Sequence, residues 1–230
     1  MQELRDRGYL PAAVRNYLAL LGWGTDDDTT LMSTDELVAR FSLERVGRAA
    51  AVFDERKLRW VNGRFMRALS LEEYERRLRE TLEREDAEAA GAFAAAGPEL
   101  RRAACRVVRD KAQTLVEAWP LVRFLFAPPV DDQRAWEKVM TADSRAFLSQ
   151  ALSALGAAEP FDAATIEAVL SPLPEHAGIK PKALYQPIRV AITGTTISPG
   201  IFDSLAALGR ERSLARLENA IARLDPAPGD

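Results

Sequence analysis

The sequence predicts a mainly α protein, built as elongated tandem helical bundles. Apolar residues recur at spacings of three and four through most of its 230 residues, and the strict alternation of a half-buried strand is nearly absent. Helix-start chemistry points the same way. Ser33 with Glu36 and Ser70 with Glu73 each form an S-x-x-E box ahead of an apolar-periodic run.

In chain order, Val14, Tyr17, Leu18 and Leu21 mark a first amphipathic helix, with Pro11 suited to its first turn and Gly22 ending it. A loop over 26–32 leads to the helix opened by Ser33, which is expected to run through Phe41. The Ser70 helix has Leu71, Tyr74, Leu78 and Leu82 as its inner stripe, with Glu72–Arg76 and Glu75–Arg79 as expected charge pairs on its wet face. Gly97-Pro98 breaks the chain and starts a helix over roughly 99–118. Ala127-Pro128-Pro129-Val130-Asp131-Asp132 reads as a linker. Helices are expected over roughly 133–140, 143–155 and 162–170. The four prolines of SPLPEHAGIKPKALYQP predict an extended or looped stretch. A helix or short strand from Ile188 to Ile192 follows, then a turn at GTTISPG and two closing helices. The last of these carries Leu214, Leu217, Ile221 and Leu224. No internal repeat is visible.

Composition bounds the function classes. Hydrophobic residues at 47% and charged residues at 28% describe a globular chain. No apolar run approaches the roughly 20 residues of a membrane span. MQELRDRGYL has no apolar signal core, so a cytoplasmic protein is expected. The single Cys105 excludes an internal disulfide and fits a reducing compartment. His176 is the only histidine, which removes multi-histidine metal sites. Neither a P-loop nor a strand-flanked G-x-G-x-x-G nor a G-x-S-x-G frame is present. A small-molecule enzyme therefore has little support. A net charge of −3 argues against indiscriminate nucleic-acid binding, and leaves room for a local basic face.

Three stretches carry a resemblance. RGYLPAAVRNYLALLGWG (7–24), FSLERVGRAAAVFDERKLRWVNGRFMR (41–67) and KPKALYQPIRVAITGTTISPGIFDSLAALGRERSLARLENAI (180–221) resemble, in order, three segments of bacterial-type glutamyl-tRNA synthetases. These are the segment after the K-M-S-K-S-type loop, the stem-contact segment and the anticodon-binding C-terminus. The H-I-G-H motif of that class I family needs two nearby histidines, and its K-M-S-K-S-like loop would end just upstream of Met1. The resemblance thus implies the C-terminal part of the enzyme without its catalytic Rossmann domain, inactive in aminoacylation alone. An abrupt start inside a family segment favours a truncation over a free-standing paralogue. ATP and magnesium would serve the parent enzyme, with no cofactor in this chain.

The implied organisation is a stem-contact region over 1–75, a helical anticodon-binding subdomain over 76–132 and a second over 133–230. The implied partner is tRNA for glutamate, read by a monomer, with no DNA and no membrane involved. A helical protein–protein scaffold is the rival from another class.

Three groups of residues could carry recognition. Arg102, Arg106, Arg109 and Gln113, spaced four, three and four, would form one basic stripe on the helix after Pro98. Its rival is an ordinary solvated face, and Lys111 is expected to project toward the apolar side. Lys180, Lys182 and Arg189, interleaved with Tyr185 and Pro187, could hold phosphates and splayed bases. By resemblance Arg189, Ser198, Pro199 and Ile201 face anticodon bases. Core packing is the rival for Tyr185 and Ile201, and a structural salt bridge for Arg189. Lys57, Arg59, Arg64 and Arg67, around Trp60 and Asn62, would touch the inner corner of the tRNA, with Trp60 itself expected in the core.

Gln113 bears on specificity. Family members that insist on the glutamate tRNA are expected to carry arginine at that position. Glutamate and glutamine anticodons differ at the third base, C against G. Arginine offers only donors and suits C, whereas an amide offers a donor and an acceptor and can serve either. The resemblance therefore extends the possible partners to tRNA for glutamine.

Overall fold

The computed structural model describes residues 2–23, 29–47 and 52–224. Gly24, the acidic run 26–28 and residues 48–51 of the stem-contact resemblance lie outside the described residues. Fifteen α-helices and two short 3₁₀ turns are described. The only β feature among the described residues is an isolated antiparallel bridge between Trp23 and Val46. The mainly α class is the observed one. Contacts group the chain into two compact units, Met1–Ala95 with Val108–Pro120, and Ala96–Val107 with Leu121–Asp230. The three segments expected from the sequence divide the chain elsewhere.

The first unit holds α1 (Gln2–Asp6), α2 (Pro11–Gly22), α3 (Thr34–Arg40), α4 (Glu55–Ala68), α5 (Leu71–Glu85) and α6 (Ala87–Ala95). Pro11 opens α2, as its fixed φ and missing N–H allow. Tyr9, Val14, Tyr17 and Leu58 form a core cluster joining α2 to α4. Asn16, also buried, accepts from Met32 N at 2.8 Å and donates to Thr30 O at 2.8 Å, which ties down the approach to α3. The Ser33–Glu36 box is complete in both directions, and the bonds to Ser33 pull the Glu36 pKa down.

At α5 only half of the expected box forms. Ser70 Oγ accepts from Glu73 N at 3.2 Å, while the Glu73 carboxylate turns to Arg76 and Arg77, each at 2.7 Å. The expected Glu72–Arg76 rung gives way to Arg76 set between Glu73 and Glu80. Two cationic guanidinium partners outcompete one neutral backbone N–H for the same carboxylate, because they add charge attraction to the hydrogen bond.

Helix α7 (Pro98–Arg109) is shorter than the sequence predicts. It stops because the backbone beyond it finds tertiary partners. Leu115 N donates to Gly8 O at 3.0 Å, Gln113 N to Glu117 Oε2 at 3.0 Å, and Gln113 O accepts from Asn62 Nδ2 at 2.6 Å. Gly8 permits this approach, with φ +78 and a would-be Cβ 2.6 Å from Val116 N. Gln113 therefore does not continue the helical stripe, and Lys111 is exposed rather than turned toward the core.

After α8 (Ala118–Val122), the second unit carries α9 (Gln133–Val139), α10 (Ser144–Gly156), α11 (Ala163–Leu170), α12 (Pro172–His176), α13 (Pro181–Thr193), α14 (Ile201–Leu208) and α15 (Arg210–Leu224). Helix α10 packs on α13 and α15. The core is built from Leu148, Leu155, Ile166, Leu170, Leu184, Ile188, Ile192, Leu205 and Leu217, all nearly or fully inaccessible.

The proline-rich stretch expected to be looped is helical instead. Pro172 and Pro181 sit in first turns, where no N–H is needed. Pro187 lies inside α13 and removes the bond to the Ala183 carbonyl. Burial of Leu184, Pro187, Ile188 and Ile192 against the neighbouring helices holds the helix through that loss. The 127–132 linker is non-helical as read, and it is also anchored. Arg216 donates to Ala127 O at 3.0 Å, and Val130 N donates to Thr193 O at 3.1 Å. Gly194, at φ +80, lets Val130 pass, since a Cβ there would stand 1.8 Å from Val130 O.

Candidate nucleic-acid interface

The Lys180–Ile201 group lies at the start and end of α13 and in the turn after it. Lys180 caps the helix and Lys182 lies in its first turn, both exposed. With Lys138 they border an open cleft of about 700 Å³, also lined by Asp143, Phe147, Gln186 and Pro187. Tyr185 is half-buried, edge-on to Phe202 at 5.5 Å.

Arg189 is half-buried and donates to Ser198 Oγ and, at 2.8 Å, to Pro199 O. It thus clamps the turn, and no carboxylate joins it among the described residues, so the rival salt bridge gives way to hydrogen bonds with neutral oxygens. Burial pushes its pKa below the usual arginine value. Ser198 and Ile201 are only 5% and 6% exposed, and Pro199 is buried. Ile201 begins α14 as a core residue rather than an open shelf. The exposed apolar side chain of this turn is Ile197, at 64%. Sequence reasoning missed it, because an isolated isoleucine between Thr196 and Ser198 belongs to no periodic pattern.

On α7, Arg102 and Arg106 are exposed, and Arg102 faces Glu99 at 3.4 Å. Arg109 is half-buried, with an Nε that finds no partner among the described residues. Gln113 has its backbone fixed by Asn62 and Glu117. Its Cγ lies 3.5 Å from where a Gly63 Cβ would stand. Its amide end has no hydrogen bond among the described residues. Helix geometry brings Arg102 and Arg106 onto one face of α7, and Gln113 comes after the helix has ended.

The stem-contact group sits on α4. Asp54 caps that helix through Lys57 N at 3.1 Å. Leu58, Val61, Asn62, Gly63 and Met66 face inward. Asn62, expected at the tRNA surface, is wholly buried. Its Oδ1 accepts from Leu10 N at 2.7 Å, and its Nδ2 donates to Gln113 O. Its role is to join α2, α4 and the segment after α7. Trp60, expected in the core, is 45% exposed. Arg59 pairs with Glu117 at 2.6 Å. Lys57 and Arg64 are exposed, and Arg67 is half-buried beside Gly63.

His176 ends α12, exposed, and Cys105 is buried. Among the described residues no three His, Cys, Asp or Glu side chains gather as a metal site, and no helix is long and apolar enough to cross a membrane.

Both units are helical, α7 and α4 carry exposed cations, and the turn after α13 is clamped by Arg189. The chain belongs to the anticodon binding domain family, whose model matches residues 71–221. Residues 1–60 match the class I tRNA synthetase (E and Q) catalytic domain. Its curated relatives include the glutamate–tRNA ligases of Azorhizobium caulinodans, 43% identical over 95% of this chain and 46% of that protein, and Rhodococcus jostii, 39% identical over 95% and 44%. A glutamate–tRNA ligase from Elizabethkingia meningosepticum, solved in complex with its amino acid, superposes with a TM-score of 0.77 at 25% identity, covering 96% of this chain and 43% of that one. The chain thus spans less than half the length of the relatives it matches.

Proposed function

We propose that this chain is the tRNA-binding portion of a glutamate–tRNA ligase, with residues 1–75 meeting the inner corner of the tRNA and the two later segments reading its anticodon. The observation that carries the reading is the Arg189 clamp on Ser198 and Pro199, inside the stretch that the anticodon-binding model matches. A turn held before RNA arrives loses less entropy on binding. Its exposed Ile197 and the spare N–H groups of Arg189 can then meet a base face and base edges. Lys180 and Lys182 supply phosphate contacts, which position the strand without reading it.

ATP and magnesium belong to the proposed parent reaction. The chain by itself binds tRNA as a monomer in the cytoplasm. The partner set extends to tRNA for glutamine. The amide end of Gln113 is uncommitted, its backbone is fixed, and it can present either a donor or an acceptor to the third anticodon base.

The test is tRNA binding by wild type and Arg189→Ala across a salt series. Wild type should bind glutamate tRNA with an affinity that falls steeply with salt. Arg189→Ala should cost about 1–3 kcal/mol, through a lost base contact and a loosened turn. Equal binding by the two at low salt overturns the assignment of the anticodon face.

A further inference from the structure

The chain has four tryptophans, and Trp60 is the most exposed of them. Trp23 and Trp119 are buried, and Trp136 carries the Arg223 guanidinium over its ring at 4.0 Å. Trp60 is 45% exposed on α4, and among the described residues no ring or cation stacks on it.

Its neighbours on the helix are all basic or absent. Arg56 and Lys57 lie four and three residues before it, and Arg64 and Arg67 four and seven after it, so helix periodicity puts all four on its face. The remaining near position, three residues on, is Gly63, which has no side chain. Arg56, Lys57 and Arg64 are exposed, and none of the four cations has a carboxylate partner among the described residues. Of the acids on and around α4, Asp54 accepts from Lys57 N as the helix cap, and Glu55 and Glu117 are paired with Arg7 and Arg59.

An indole left open to water at the centre of four unpaired cations, in a chain of net charge −3, is a concentrated exception to the molecule's overall charge. A protein partner with an apolar face would have to desolvate those cations, whereas a polyanion neutralises them. The ligand that offers both negative charge and a flat π-face is a nucleic acid with an unpaired base, since bases inside a duplex keep their faces stacked on one another.

We infer that Trp60 is a stacking platform for an unpaired nucleotide of the bound tRNA, with Arg56, Lys57, Arg64 and Arg67 holding the flanking phosphates. The inference rests on the tRNA-binding reading above and adds to it a base contact in a region otherwise assigned only backbone contacts.

The experiment measures binding of the full chain, as wild type, Trp60→Ala, Trp60→Phe and Arg64→Ala, to a glutamate tRNA transcript and to a fully paired RNA duplex, over a salt series. Trp60→Ala should weaken tRNA binding about 5- to 150-fold with the salt slope unchanged, because stacking releases no counterions. Trp60→Phe, which keeps a π-face and the fold, should stay closer to wild type. Arg64→Ala should lower the slope by roughly 0.7 to 0.9. The duplex should not distinguish wild type from Trp60→Ala. Trp60→Ala binding tRNA within twofold of wild type, or losing duplex binding equally, overturns the stacking role and leaves the tRNA reading standing. No salt-sensitive tRNA binding by wild type overturns both.

Discussion

Replacing Asn62 with alanine tests the packing that sets the position of Gln113. The side chain is wholly buried, and it satisfies two backbone groups distant in sequence, the N–H of Leu10 at 2.7 Å and the C=O of Gln113 at 2.6 Å. Alanine leaves both without a partner. A buried backbone group left unpaired costs about 1–3 kcal/mol, so the two together put the loss at about 2–6 kcal/mol. A water entering the vacated space recovers part of that, which places the expected loss at about 2–3 kcal/mol. Chemical denaturation of the full chain should show the drop in the transition of the first unit, because the two units need not unfold together. Amide hydrogen exchange gives the local readout, with the Leu10 N–H losing its protection. Trp60→Ala, on the exposed face of the same helix, serves as the control and should change stability little. An Asn62→Ala chain within 0.5 kcal/mol of wild type, with the Leu10 amide still protected, would refute this account of the junction.

Two further outcomes follow from the geometry. Glu73 is held at a pKa of about 2, chiefly by its hydrogen bond from Arg76, against an ordinary 4.5. A depressed carboxylate pKa stabilises the fold fully above the unfolded value and loses that contribution as pH falls. Helix α5 should therefore weaken between pH 4.5 and 2, as followed by circular dichroism. Glu73→Gln should remove that component, and salt should shrink it, because the pair is largely exposed. Gln113→Arg should shift binding toward the glutamate over the glutamine anticodon, measured with two transcripts that differ only at the third anticodon base. A wild type that already rejects the glutamine form, or an unmoved ratio, removes the proposed breadth.

Much of the fold was legible because helix signals are local. The Ser33 box, the Pro11 start and the stripe of Tyr74, Leu78 and Leu82 each depend on residues within two turns of one another. What sequence reasoning missed depends on distant partners. The end of α7 is set by Gly8, Asn62 and Glu117, none visible from the local periodicity at 110–117. The prolines of 171–187 read as breakers, because their first-turn positions become apparent only when the helix starts are known. Trp60 and Asn62 exchanged their expected places. Residue type favours a buried tryptophan and a wet asparagine, yet the inward face of α4 is fixed by Leu58, Val61 and Met66, which carries Asn62 inside and leaves Trp60 out. At the candidate interface, the types at Arg189 and Ser198 were readable and their mutual clamp was not.

The proposed function requires this chain to read an anticodon. The most direct measurement compares its affinity for a glutamate tRNA transcript with that for the same transcript carrying three replaced anticodon bases, over one salt series. Direct reading predicts at least about a tenfold loss on replacement, as expected when base contacts worth roughly 1–3 kcal/mol each are removed, with parallel salt slopes because the phosphate contacts are unchanged. Equal affinities for the two transcripts would contradict it, and would leave only a chain that holds the tRNA backbone.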